Sequence, residues 1–143
     1  MRRALVLAGL VVLAGCAGTR TATSLPGLDA AKLAKLRAIA LSTAKGAKDP
    51  HPSSVMVYAS RRHEANIAAG AGTGVFGEDP VYLVVLRGDF IVSPEPAPGP
   101  MPPHKSNVIT FVVTRDTLRQ LDYGFGGTVN TSSVGPGLPL RVG

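Results

Sequence analysis

The chain has one cysteine, no tryptophan, and only four phenylalanines and three tyrosines. A single cysteine excludes an intrachain disulfide and a metal site built from several thiolates. With so little aromatic surface, any core must be assembled from Val, Leu, Ile and Ala. No apolar run reaches the about 20 residues that a membrane-spanning helix needs. Acidic residues are also scarce, nine against fifteen Lys and Arg, for a net charge of +6. That excess is spread out, and its longest run is Arg61-Arg62-His63. No aromatics are interleaved with it, so it lacks the footprint of a nucleic-acid surface, and no nucleic-acid partner is expected.

Motifs that would carry catalysis are missing too. There is no G-x-S-x-G elbow to strain and expose a serine, and no lysine that would complete a phosphate loop. His51, His63 and His104 lie far apart, without the His-x-x-x-His or His-Glu-x-x-His spacing that puts two imidazoles on one metal. Met56, Met101 and His104 could form a soft copper site only if the fold joined them, and Met56 reads as a core residue. No metal and no cofactor is expected. Gly72-Thr73-Gly74-Val75-Phe76-Gly77 spells G-x-G-x-x-G. A dinucleotide site needs that turn to open a helix, so that pyrophosphate meets the helix N-terminus. Here Glu78-Asp79-Pro80 and a strand-like run follow, which reads as a loop. Glu78 and Asp79 are neighbours and read as solvated. Asp89 and Asp122, each near a strand end, are better placed to share a polar spot, with turn hydrogen bonding as the structural alternative.

What is present begins at the N-terminus. Arg2 and Arg3 precede an uncharged stretch over 4–14 that closes on Leu13-Ala14-Gly15-Cys16. Eleven helical residues span about 16 Å, roughly half of a bilayer core, which suits a secretory segment and not a membrane span. The four residues Leu-Ala-Gly-Cys resemble a bacterial lipobox. The resemblance implies peptidase recognition of Leu13, Ala14 and Gly15, cleavage between Gly15 and Cys16, and a diacylglyceryl thioether on Cys16. Only a thiol is nucleophilic enough among the side chains there to take that group. Two or three fatty chains on one residue give stable attachment where one chain does not. The implied partner is therefore the membrane, reached through lipid on Cys16, with the protein on the extracytoplasmic face. A plain signal peptide ending in Ala-Gly-Cys and an uncleaved anchor are the alternatives.

Loss of residues 1–15 takes Arg2 and Arg3 with it and leaves thirteen basic against nine acidic side chains, an excess of four. The organisation expected is a signal peptide over 1–15, a lipidated cysteine and flexible tether over 16–27, and one small domain over 28–143. Asp29 is a candidate N-cap for a helix over 30–45, in which Leu33, Leu36, Ala40 and Ala44 share a face. Gly46 and Pro50 mark its end. Alternating residues give a strand over 54–60. Residues 61–69 fit either a strand extension or a helical turn. A glycine-rich loop over 70–80 leads to the continuous apolar run 81–86, which reads as a central strand buried on both faces and continuing through 90–92. Six prolines over 94–103 exclude a ladder and give a loop. A second strong strand covers 108–113, a turn covers 115–118, and 119–123 returns as a hairpin partner. The tail reads as irregular. The class is α+β: one amphipathic N-terminal helix on an antiparallel sheet of three or four strands.

The stretch 80–90, the proline-rich loop, the strand 108–113 and Leu121-Asp122-Tyr123-Gly124 resemble small secreted or lipid-anchored proteins of high-GC Gram-positive bacteria, which mostly have no assigned function. The helix-plus-hairpin layout is similar to PepSY-type, cystatin-like domains. Those often carry an Asp-x-x-Thr-Gly turn; here Arg115-Asp116-Thr117 is followed by Leu118 in place of the glycine. The resemblance implies no catalytic residues. The expected function is a non-enzymatic module in the cell envelope that binds a protein, peptide or envelope component, with strand addition at a sheet edge as the mode. The alternatives are a small extracytoplasmic ligand binder or hydrolase, marked by a deep polar pocket, and a purely structural lipoprotein.

Overall fold

The computed structural model describes residues 21–72, 74, 77–93 and 102–142. Helix α1 covers Ala30–Gly46, strand β1 Ser54–Arg61, helix α2 Arg62–Ala68, β2 Pro80–Val92, β3 His104–Thr114, β4 Gln120–Phe125 and β5 Gly137–Pro139. A 3-10 turn lies at Thr131–Ser133.

Helix α1 starts where its cap dictates. Asp29 is extended, and its carboxylate accepts a hydrogen bond from Lys32 N at 2.8 Å, satisfying one of the amides a helix start leaves open. The other end differs from expectation. Gly46 stays helical, and Lys48 takes the left-handed conformation at φ 65. Asp49 N donates to Ala44 O and Lys48 N to Lys45 O, the paired bonds of a Schellman ending. A lysine there costs about 1 kcal/mol relative to glycine. Leu36, Ala40 and Ala44 are buried, and Leu33 and Ile39 pack at their margin.

The sheet is antiparallel throughout, in the order β4-β3-β2-β1-β5. Residues 81–86 of β2 are all buried, as a central strand requires. Alternate residues feed two cores. Val55, Val57, Tyr82, Val84, Leu86, Ile109, Phe111 and Val113 face α1. Tyr58, Val81, Leu83, Val85, Val108 and Val112 pack with Ala65 and Ala68 of α2 and with Val134. The domain therefore has three layers, with the sheet between α1 and the smaller α2.

Three features correct the sequence reading. The sheet has five strands instead of three or four, because the tail supplies β5: Met56 pairs with Pro139, Val57 with Leu138 and Tyr58 with Gly137. There are two helices instead of one, because the ambiguous stretch 61–69 folds as α2. And the chain from Thr21 onward, read as part of a loose tether, is tied to the domain. Thr21 bridges to Gly137, Ala22 N donates to Gly137 O at 2.8 Å, Leu25 is buried, and Tyr82 Oη donates to Pro26 O at 2.6 Å.

Two bulges interrupt the pairing of the sheet. In β2 the register shifts between Arg87 and Phe90, where Asp49 Oδ2 accepts from Asp89 N and Ile91 N donates to Ala47 O. In β4 the register shifts opposite Val112 and Val113. The β3–β4 turn holds Leu118 at φ 59, so this leucine adopts the conformation a glycine would take without strain.

Candidate functional site

Leu13, Ala14, Gly15 and Cys16 lie outside the described residues. The described chain begins at Thr21 against the outer side of β5, so β5 is covered by the incoming segment. That leaves β4 as the open edge of the sheet among the described residues. The two edges are four strand spacings apart, about 19 Å.

The β4 edge has a defined chemistry. Gly126 N donates to Val108 O, and directly opposite pairs alternate between bonded and non-bonded along an antiparallel ladder. Pairs Thr110–Gly124 and Val112–Asp122 therefore turn their backbone groups inward, while those of Tyr123 and Phe125 turn outward. The side chains of Tyr123 and Phe125 lie on the α1 side, opposite Phe111 and Ile109, but beyond the reach of α1. They are 45% and 44% exposed. Their rings are 6.4 Å apart, and His104 lies 6.5 Å from Phe125. The edge thus combines unpaired backbone groups with a strip of exposed rings.

On the opposite face β4 is clamped. Strand alternation puts Asp122 on the α2 side, opposite to Tyr123. Its carboxylate accepts from Arg62 Nε at 2.9 Å, from Arg62 Nη2 at 3.0 Å and from Asn66 Nδ2 at 3.1 Å. Asn66, itself buried, also donates to Arg62 O at 2.9 Å. The paired guanidinium holds the Asp122 carboxyl below its ordinary range, and the same contact raises Arg62. A groove of about 370 Å³ beside this clamp is open to solvent, and in it Asn66 and Asp122 are bonded to each other while Thr110 donates to Gly124 O. A second open groove, about 580 Å³, runs past Asp89, Phe90, Lys105 and Gly126.

Asp89 and Asp122 do not meet. Asp122 aligns through Val112 with Leu83, six residues along β2 from Asp89 and so about 20 Å away. The glycine-rich segment follows α2 and precedes β2, with His63 N donating to Gly77 O, so it opens no helix. Among the described residues no three His, Cys, Asp or Glu side chains cluster as metal ligands. No helix there is long and apolar enough to cross a membrane. Every buried side-chain nitrogen or oxygen among them has a hydrogen-bond partner. Sequence reading missed the Arg62–Asp122–Asn66 clamp, which joins residues about sixty positions apart. The Tyr123-x-Phe125 alternation at the end of the hairpin was the one visible signal of the edge.

No family model, curated protein or solved structure matches the chain.

Proposed function

We propose that this chain is a lipid-anchored protein of the extracytoplasmic membrane face whose domain is a non-enzymatic binding module, taking an extended peptide segment of an envelope partner onto β4. The anchor reading rests on the charged start, the short apolar stretch and Leu13-Ala14-Gly15-Cys16. The observation that carries the binding reading is the β4 edge, where outward backbone groups at Tyr123 and Phe125 coincide with their exposed rings. Backbone groups supply the affinity in strand addition, and alternate side chains supply the selectivity. A partner segment with apolar or aromatic residues at every second position would complete the ring strip. The bulge and the short length of β4 protect it from indiscriminate pairing.

The test is a photoreactive phenylalanine analogue at Phe125 in the lipidated protein in its native membrane, compared with the same group at Ile67 on α2. A discrete adduct from position 125, mapped to one extended segment and lost in a Tyr123→Pro background, supports the reading. Proline there removes one outward amide and leaves the inward ladder intact. Adducts that are absent at 125, or equal at 125 and 67, contradict it.

A further inference from the structure

We infer that the outer face of α1 is a docking surface for the anionic headgroups of the bilayer that holds the anchor. The inference rests on the lipid-anchor reading and adds an orientation to it.

Helix α1 contains no carboxylate, and with the residues beside it this side of the domain carries Lys32, Lys35, Arg37, Lys45, Lys48 and Arg141. At the helix ends Asp29 and Asp49 each accept a hydrogen bond from a backbone amide, and beside Lys32 a groove also holds Asp79 and Asp116. With Lys32 set aside in that groove, five cations stand against Asp29 and Asp49, an excess of three out of the four that the chain carries after residue 15. The remaining bases exceed the remaining acids by only one, so most of the excess charge is concentrated where the sequence alone made it look dispersed. None of the six cations forms an ion pair among the described residues. Arg37 and Arg141 flank a shallow, largely apolar groove floored by Ala30, Leu33 and Pro139. By contrast the α2 side has its charges paired, Arg62 with Asp122 and Arg61 with Glu78.

Chain length keeps the domain close to the bilayer. Five peptide links separate Cys16 from Thr21, so a lipidated Cys16 lies at most about 18 Å from the point where the chain joins β5. Ala22 and Leu25 then pack into the core on the α1 side. Electrostatic attraction between a cationic face and anionic lipid acts within about 8 Å at physiological salt, and so short a leash keeps the domain near that range. The anchor turns a weak attraction into an effectively intramolecular one, so a modest charge excess suffices to set orientation. In that pose α1 lies between sheet and membrane, and the β4 edge remains free at the side of the domain.

The test uses the lipidated full chain on vesicles of phosphatidylcholine alone or with 30% phosphatidylglycerol. Ser42 lies on the exposed face of α1 and Ile67 on α2. With the Cys16 sulfur occupied, Ser42→Cys or Ile67→Cys gives a single thiol for a fluorophore, read by quenching from nitroxide-headgroup lipid. Quenching at 42 should exceed that at 67 by about threefold on the anionic vesicles. The difference should disappear at 0.5 M salt and in Lys35→Glu/Lys45→Glu. Flotation of the protein with equal quenching at both positions overturns the inference and leaves the anchor standing. Failure to float with phosphatidylcholine vesicles overturns the anchor, and the inference with it.

Discussion

Replacing Asp122 with Asn tests how β4 is held to the rest of the domain. The carboxylate accepts three hydrogen bonds, two from Arg62 and one from Asn66. Bonds to charged groups contribute about 1.5–3 kcal/mol each when buried, whereas exposed ion pairs contribute about 0–1 kcal/mol in all. The Arg62 and Asp122 side chains are 28% and 24% exposed, so water recovers part of what is lost. A loss of about 2 kcal/mol follows, which for a domain of this size lowers Tm by roughly 6–12 °C. The pH dependence has a definite sign. Asp122 has a lower pKa folded than unfolded, so its stabilisation is fully present above the unfolded value of about 3.9 and fades as pH falls through the folded one. Chemical denaturation followed by circular dichroism at pH 7 and pH 3 should show the gap between the native chain and the variant narrowing on acidification. A gap under about 0.5 kcal/mol at pH 7, or one equal at both pH values, would refute the clamp.

Further outcomes follow from the packing. Phe111→Ala empties a fully buried position beneath α1 and should cost about 3–5 kcal/mol in the same denaturation assay. Lys48→Gly relieves a left-handed lysine and should raise stability by about 0.5–1 kcal/mol, whereas Gly46→Ala, inside the helix with open space around its Cβ position, should also stabilise modestly. Gly137→Val would place a Cβ 2.6 Å from Tyr58 Cε1 and 2.8 Å from Met56 Cε. It should unseat β5, seen as faster hydrogen exchange at the Ala22 and Leu140 amides, which bond across that strand to Gly137 O and Val55 O.

The parts of this fold that were legible in sequence are those whose signal is local. Asp29 and the spacing of Leu33, Leu36, Ala40 and Ala44 announced α1, and the apolar runs at 81–86 and 108–113 announced β2 and β3. Helix α2 was not legible, because Arg62–Ala68 buries only Ala65, Asn66 and Ala68 while its one large apolar residue, Ile67, faces solvent. Such a helix is held by small side chains and by the hydrogen bonds of Asn66, which leave no hydrophobic period to read. Strand β5 was hidden for another reason. A three-residue segment containing glycine and proline acquires its conformation only from pairing with β1, about eighty positions away. The same holds for residues 21–27, whose composition suits a tether while Leu25 and the Pro26 carbonyl are bound into the domain. The β4 edge was half legible: its hairpin was expected and alternation puts Asp122 and Tyr123 on opposite faces, but the bonds of Asp122 to Arg62 and Asn66 depend on tertiary packing.

Attachment of the chain to the membrane depends on the sulfur of Cys16. Mass spectrometry of the protein purified from its native membrane should find an N-terminal Cys16 carrying a diacylglyceryl thioether. A chain that retains Met1, or one that begins at Cys16 with a free thiol and remains soluble without detergent, would contradict it.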